Sequence, residues 1–269
     1  MSRDGPSRGL LKVVILCGGQ GTRLREETEH RPKPLVPVGD RPILWHIMKT
    51  YSAFGYNDFI LALGYKGHMI KDYFINYDVL NSDFRLNLGT KQITTLNSSH
   101  DEQDWTITFV DTGADTMTGG RLKRLEPFLR DQAEFLFTYG DGVTDLNIPE
   151  VVEFHRRSKA VATVTGVLPI ARFGELVVEG DRVVRFAEKP IGSKDWINGG
   201  YFVMTPKIFD YLDGDDTILE RAPLERLAVD GQLAVFRHQG YWHCMDTQRD
   251  MEQLNEGWAG GHAPWKRWQ

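Results

Sequence analysis

The sequence predicts an α/β fold with a mainly parallel sheet, and the alternation of strand-like and helix-like segments in its first third is the main reason. KVVILC at residues 12–17 is a short apolar, β-branched run, typical of a buried parallel strand. Pro42 opens a predicted helix with an apolar face, and Gly55 is placed to end it. A second strand and a short helix follow, at residues 59–63 and 68–74. This order favours right-handed crossovers between parallel strands.

The rest of the chain continues the alternation after one interruption. Residues 76–103 are polar and irregular, and we interpret them as an excursion from the sheet that forms a small hairpin. Gly180-Asp181 is expected at the tight turn of another hairpin. The further predicted strands cover residues 105–110, 134–139, 160–167, 175–179, 182–187, 197–204, 233–238 and 241–245. The further predicted helices cover 119–130, 149–158, a segment near Pro206, 217–229 and a last helix that starts at Asp246 and Thr247.

Composition and charge limit the classes of function. The net charge of -5 gives no general affinity for nucleic acid, so a phosphate site must be a local group of Lys, Arg and backbone N–H groups. Two cysteines, Cys17 and Cys244, cannot build a secreted disulfide framework and favour a reducing cytoplasm. No apolar run reaches the ~20 residues that span a membrane.

Domain organisation is predicted to be simple. Residues 1–9 are polar, lack the apolar centre of a signal peptide, and are expected to be a disordered tail or a remnant of expression. Since no repeat, linker or low-complexity stretch interrupts the remainder, one domain over residues 10–269 is the simplest account.

A glycine-rich loop follows the first strand, at residues 18–24. Glycines let a backbone approach a ligand closely, and successive N–H groups form a nest for phosphate oxygens. A dinucleotide fingerprint would need glycine at Leu24, and no Gly-Lys-Ser/Thr follows as in a Walker loop. Arg23 adds a permanent charge with a fork suited to phosphate. Ten residues later, Pro32 and Pro34 are expected to hold the backbone extended and pin Lys33.

Two aspartates follow predicted strands. Asp141, between two glycines, comes at the carboxyl end of a buried strand, where ligands bind in open α/β sheets. A turn aspartate that satisfies backbone donors is the alternative. Asp246 lies between a strand and a helix, so a helix N-cap is the alternative there.

The stretch CGGQGTRLREETEHRPKPLVPVGDRP resembles the signature of the sugar-1-phosphate nucleotidyltransferases, GGxGTRL…PKPM, with Leu35 in place of the common Met. Further similar stretches, FLFTYGDGVTDL, VDTGADTMTGGRLKR, INGGYFVM and APWKRWQ, carry the resemblance over nearly everything after Gly9. They are most similar to the branch of the family that transfers a cytidylyl group. The resemblance implies a Rossmann-like mixed, mainly parallel sheet flanked by helices, of the nucleotide-diphospho-sugar transferase type, with small β additions. It also implies CTP and glucose 1-phosphate as substrates and a homo-oligomer.

The same resemblance assigns site residues. It implies Mg²⁺ bound by Asp141 and Asp246, and catalytic roles for Arg23, Lys33 and Asp141. The residues expected at the nucleotide are Leu16, Gly18, Gly19, Gly21, Thr22, Arg23, Lys33, Thr116, Gly119, Arg121, Tyr139 and Gly140. Those expected at the sugar phosphate are Glu188, Lys189, Asn198 and Gly199.

For several of these residues a purely structural role remains an alternative. The glycines before Arg121 can cap a helix without any ligand. Glu188 and Lys189 can be solvated charges, and the glycines after Asn198 can mark a strand bulge.

The reaction implied is an in-line attack of the sugar phosphate on the α-phosphorus of the nucleotide, with pyrophosphate leaving and no covalent intermediate. The same chemistry with another base or sugar is the near alternative. A nucleotide-sugar binding protein without turnover is the distant one.

Overall fold

The computed structural model of the chain describes residues 11–98, 102, 104–168, 175–179, 181–187 and 195–268. The strands in these residues are β1 Lys12–Cys17, β2 Pro37–Val38, β3 Arg41–Pro42, β4 Asp58–Leu63, β5 Ser82–Leu86, β6 Ile93–Ser98, β7 Thr106–Asp111, β8 Phe135–Tyr139, β9 Gly142–Thr144, β10 Ala162–Val167, β11 Glu175–Glu179, β12 Arg182–Ala187, β13 Ile197–Met204, β14 Leu233–His238 and β15 Trp242–Cys244. The α-helices are α1 Arg25–Thr28, α2 Ile43–Ser52, α3 Gly67–Ile75, α4 Tyr77–Asn81, α5 Thr118–Arg124, α6 Glu126–Leu129, α7 Ile148–Ser158, α8 Ala222–Val229 and α9 Gln248–Ala259.

Seven of the described strands form the central sheet, in the order β14-β10-β13-β8-β1-β4-β7. β1 pairs in parallel with β4 and β8, and β4 pairs in parallel with β7. β13 is antiparallel to both of its neighbours, while β10 and β14 are parallel. The predicted mixed, mainly parallel sheet with flanking helices is therefore confirmed.

The two faces of this sheet carry separate apolar cores. Successive side chains of a strand point to opposite faces. In β1, Val13 and Ile15 accordingly belong to the core beneath α2 and α9, and Val14 and Leu16 to the core beneath α5 and α8. A strand buried on both faces needs the unbroken apolar run that the sequence shows at β1.

Helix α2 begins as predicted, because Pro42 is the N-cap and its extended backbone cannot continue a helix backwards. The chain turns at Gly55, whose φ of +84° favours glycine. Both predicted hairpins form, β5 with β6 and β11 with β12.

Four predicted elements differ from the structure. The helix expected near Pro206 is a 3-10 helix, Pro206–Tyr211. The helix expected at 119–130 is divided into α5 and α6 at Leu125. The helix expected at 217–229 begins only at Ala222, because the preceding segment instead accepts hydrogen bonds at the Thr217 carbonyl from the first turn of α5. The segment expected to be extended around Lys33 is extended at Pro32 but enters a 3-10 turn, Lys33–Leu35.

Among the described residues, no helix is long and apolar enough to cross a membrane. The predicted tail at residues 1–9 lies outside the described residues.

Candidate functional site

A cleft of about 380 Å³ opens at the carboxyl ends of β1 and β8. Every residue predicted to bind nucleotide, except Gly119, lines this cleft, as does Asp141. Four further residues line the cleft: Cys17, Pro34, Met117 and Thr118. None of them was predicted to bind nucleotide, although each lies next to a residue that was.

The glycine loop is shaped by close approaches that exclude a side chain. Gly21 has a φ of +63°, and a Cβ atom there would lie 2.7 Å from Cγ2 of Thr28. A Cβ atom on Gly18 would lie 2.2 Å from Nη1 of Arg121. Gly140 is equally constrained, because its Cβ atom would meet the carbonyl oxygen of Leu16 at 2.7 Å. The turn after β8 therefore packs directly against the end of β1, beside the cleft.

Arg121 ties the loops around the cleft together. Its side chain is 4% exposed, and the guanidinium donates to the carbonyls of Gly18, Leu63, Gly113 and Ala114 at 2.6–3.2 Å. Nη1, the donor to the Leu63 and Gly113 carbonyls, also reaches the hydroxyl of Thr112 at 2.8 Å. A guanidinium has five N–H donors, and most of those of Arg121 therefore bind groups of the protein itself. The nucleotide contact predicted for Arg121 stays a prediction, and what the geometry shows is a brace between loops.

Gly119 lies away from the cleft. Its N–H donates to the Thr217 carbonyl at 2.8 Å, and a Cβ atom would meet the side chain of Thr217 at 2.7 Å. Glycine at this position therefore admits the neighbouring segment against the first turn of α5. The nucleotide contact predicted for it also stays a prediction.

Two carboxylates converge on one ammonium group beside the cleft. Lys33 Nζ donates to Asp141 Oδ2 at 2.7 Å and to Asp246 Oδ1 at 2.8 Å. Arg23 Nη1 donates to the other oxygen of Asp246 at 2.8 Å. Burial lowers the pKa of Lys33, but the charge of Asp141 and the hydrogen bonds to both carboxylates outweigh it and raise that pKa. Lys33 therefore stays charged, at the point where the negative charge of the site is concentrated.

Strand pairing brings these residues together across more than a hundred positions. β15 pairs antiparallel with β9, so that Cys244 lies opposite Gly142. The N–H of Met245 then donates to the Asp141 carbonyl at 2.8 Å. Asp141 directly precedes β9 and Asp246 follows β15, so the ladder brings both carboxylates within reach of Lys33 Nζ.

The N-cap alternative for Asp246 is wrong. Thr247 is the N-cap of α9, and its side chain accepts from the N–H of Asp250 in a capping box. The Asp250 carboxylate accepts in turn from the N–H groups of Asp246 and Thr247. Because the cap is made by Thr247 and Asp250, the carboxylate of Asp246 is available to Lys33 and Arg23.

The donor set fits a divalent cation. Asp141, Cys244 and Asp246 each offer one ligand atom, and these atoms lie within 4.8 Å of one another. The Lys33 ammonium between the two carboxylates shows that this position favours a positive charge. Carboxylate oxygens are the ligands that Mg²⁺ prefers, with water and phosphate oxygens completing its shell.

The predicted sugar residues are only partly described. Asn198 and Gly199 begin β13, next to the cleft residue Tyr139, since a Cβ atom on Gly200 would lie 2.7 Å from the Tyr139 ring. Trp242 Nε1 donates to the Gly199 carbonyl at 2.7 Å. Glu188 and Lys189 lie outside the described residues.

Glu220 is a polar residue of the site region that sequence reasoning missed. The Tyr139 hydroxyl donates to one of its carboxylate oxygens, and the Thr118 hydroxyl donates to the other at 2.7 Å. Burial, and then the charge of Glu220, raise the pKa of Tyr139, so that its hydroxyl remains a donor. Glu220 stands in a segment that was interpreted as amphipathic helix, and no local pattern marks it.

Comparisons with known proteins identify the family of the chain and the class of its fold. The nucleotidyl transferase family model matches residues 12–247. The chain is 47% identical over 259 residues to glucose-1-phosphate cytidylyltransferase of Salmonella typhi, covering 96% of this chain and all of that one. It is 45% identical, over the same shares, to a probable glucose-1-phosphate cytidylyltransferase of Bacillus subtilis. Its fold is similar to the crystal structure of HddC from Yersinia pseudotuberculosis, with a TM-score of 0.68 at 23% identity over 92% of this chain and 99% of that chain.

Proposed function

Because this chain belongs to the nucleotidyl transferase family, we propose that it transfers a cytidylyl group from CTP to glucose 1-phosphate and releases pyrophosphate. The observation that carries the proposal is the meeting of Lys33, Asp141 and Asp246 at the mouth of a glycine-lined cleft. The choice of CTP and of glucose 1-phosphate is supported by the two relatives of 45–47% identity, which match this chain over their whole length.

The nucleophile in this reaction is a phosphate oxygen of the sugar 1-phosphate, which is already an anion. No general base is needed, and catalysis comes from positioning and from neutralising charge between two anions. The glycine loop offers backbone N–H groups to the triphosphate, while Arg23 and Lys33 offer permanent positive charges. No covalent intermediate with the protein is part of the proposal.

Mg²⁺ held by Asp141 and Asp246 would neutralise the nucleotide phosphates and orient the leaving pyrophosphate. Lys33 then exchanges the two carboxylates for phosphate oxygens, which lie in the same cleft. Arg23, whose side chain is 75% exposed, can turn from Asp246 toward a phosphate with little loss of packing.

The cytosine would lie toward Thr116, Met117 and Thr118, which also line the cleft. Arg121 supports this wall by its bonds to Gly113 and Ala114. The sugar phosphate would lie toward Asn198 and Gly199, with Glu188 and Lys189 supplied by the chain before β13.

Steady-state kcat/KM with CTP, UTP, dTTP and GTP at saturating glucose 1-phosphate tests the base. CTP is expected to be preferred, because a site built on hydrogen bonds rejects a base that leaves its polar groups unpaired. If another triphosphate gives the higher kcat/KM, the cytidylyl assignment is wrong and the family assignment stands. If the protein binds nucleotide but releases no pyrophosphate with any sugar phosphate, a binding protein without transfer is favoured.

We also propose that the chain is one domain over residues 10–269, acts in the cytoplasm, and self-associates through the β5–β6 hairpin.

Apolar side chains of the hairpin region are exposed by 38–75%: Ile75, Leu80, Phe84, Leu86, Leu88, Ile93 and Leu96. Exposed apolar side chains that share one region of a surface mark an interaction site in many proteins. A two-stranded hairpin is also marginally stable alone, so a second copy would stabilise it. Light scattering on Leu86→Ser with Ile93→Ser, against wild type, should show a smaller species; an unchanged mass would contradict this interface.

A further inference from the structure

A cysteine stands beside the two carboxylates proposed for Mg²⁺. The Sγ of Cys244 and one oxygen each of Asp141 and Asp246 lie within 4.8 Å of one another. Neither the proposed transfer nor Mg²⁺ uses this thiol, because Mg²⁺ prefers oxygen ligands and thiolates select softer ions. The thiol is therefore a functional group of the site that the proposed reaction leaves unused.

The position of Cys244 is built into the fold rather than left to a loop. Cys244 is the last residue of β15 and pairs with Gly142, the residue directly after Asp141. The Asp246 N–H donates to the Cys244 carbonyl at 3.1 Å, which closes a tight turn between the two ligands. Met245 between them is fully buried, so it anchors the turn while Cys244 and Asp246 stay at the site.

We propose that Asp141, Cys244 and Asp246 form a binding site for a thiophilic divalent cation of the Zn²⁺ class, with Cys244 bound as thiolate. Zn²⁺ sites of three protein ligands and one water or substrate are common, with Zn–S near 2.3 Å and Zn–O near 2.0–2.2 Å. Ligand atoms on such a tetrahedron stand roughly 3.5 Å apart, and the three atoms here already lie within 4.8 Å of one another. The ion takes the place of the Lys33 ammonium, which now joins the same two carboxylates.

Binding is coupled to loss of one proton. A cysteine binds a divalent cation as thiolate, so the S–H proton passes to solvent as the S–metal bond forms. A Zn²⁺-class ion and Mg²⁺ would use the same carboxylates, so each excludes the other.

Co²⁺ is the probe, because Zn²⁺ itself has a filled d shell and no visible absorption. Wild-type protein, without nucleotide or sugar phosphate, is titrated with Co²⁺ and then with Zn²⁺ as competitor. We expect a thiolate-to-cobalt charge-transfer band that saturates at one ion per chain and is removed by Zn²⁺. In Cys244→Ser the band should disappear, and Zn²⁺ affinity should fall by at least about tenfold, the lower end of what even an outer-shell change costs a metal site.

Cys17→Ser is the matched control. Cys17 is the other cysteine of the chain and lines the same cleft, but its side chain is 1% exposed and it is not part of the three-ligand cluster. This variant should keep the band. Cys244→Ala is measured beside Cys244→Ser, so that a folded variant without the thiol is at hand, as judged by circular dichroism.

A wild-type protein without the band overturns the proposal. So does a band that survives the loss of Cys244 or that depends on Cys17. Although the carboxylates are those of the proposed function, the titration contains no substrate. Failure here would therefore leave cytidylyl transfer untouched, and a failed transfer assay would leave this result untouched.

Discussion

Replacement of Lys33 by alanine separates two roles of its ammonium group, one in the site without metal and one in turnover. In the structure Nζ holds Asp141 and Asp246 together at 2.7 and 2.8 Å. Without it, two negative charges within 4.8 Å repel each other. At an effective dielectric constant of about 20 this repulsion is about 3 kcal/mol. Since both carboxylates are partly exposed, solvent screening reduces it to about 1–2 kcal/mol.

Mg²⁺ relieves that repulsion, and in Lys33→Ala it no longer competes with an ammonium. The variant should therefore bind Mg²⁺ in the absence of nucleotide about ten times more tightly than wild type, or more. Turnover should nevertheless fall at least tenfold, about 1.4 kcal/mol of transition-state stabilisation, because the charge that meets the phosphates is lost.

Calorimetric titration with Mg²⁺ and steady-state release of pyrophosphate measure the two effects. Lys12→Ala is the control, because Lys12 makes an ion pair with Asp58 at 2.8 Å outside the cleft. It should change neither quantity. Near-normal turnover in folded Lys33→Ala would refute the catalytic role, and an unchanged Mg²⁺ affinity would refute the electrostatic account.

Three further predictions follow from the same contacts. Asp246→Asn should lower activity and weaken its dependence on Mg²⁺. Thr247→Ala should instead lower the free energy of unfolding, measured in urea, by about 1 kcal/mol, because Thr247 is the N-cap of α9. A Thr247→Ala variant that is inactive but fully stable would contradict these two roles. Arg121→Met should lower the melting temperature and raise KM for the nucleotide, because the hydrogen bonds that join the loops are lost. An unchanged melting temperature would contradict the structural role of Arg121 and leave a ligand contact as the explanation for this buried side chain. For His46, which is buried between the Val38 carbonyl and the Trp265 indole N–H, burial lowers the pKa to about 4 from 6.5. Because the pKa of His46 is higher in the unfolded chain, the unfolded chain takes up the proton first as the pH falls. The contribution of His46 to stability is therefore fully present above pH 6.5, and the free energy of unfolding falls by about 3 kcal/mol as the pH drops toward 4. His46→Gln should flatten the dependence of the free energy of unfolding on pH in this range, and an unaltered slope would assign that dependence to other groups.

Much of the fold could be predicted because it depends on local patterns. The apolar run of β1, the proline before α2 and the glycine after it are each readable over a few residues. Errors arose where a distant contact overrode local preference. The segment before α8 has helical periodicity, but its Thr217 carbonyl is used by the first turn of α5, and the helix begins later.

The site was predictable to a different degree. The resemblance and the position of each residue after a strand identified the cleft lining, including Lys33 and Asp141. From the sequence, Asp246 could be either a metal ligand or the N-cap of the last helix. Only the capping box of Thr247 and Asp250 decided between them, because a cap is defined by which side chain reaches the helix N–H groups.

The sequence alone thus determined the order of strands and helices, the glycine loop and the family resemblance, since all of these depend on neighbours within a few positions. Tertiary structure alone decided which charged groups meet. The pairing of β15 with β9 sets Asp141, Cys244 and Asp246 around the Lys33 ammonium, and the packing of α5 turns Arg121 into a brace. Lys33, Asp141 and Asp246 are more than a hundred residues apart in the chain, and the distances between them follow from sheet register and burial, which no local pattern contains.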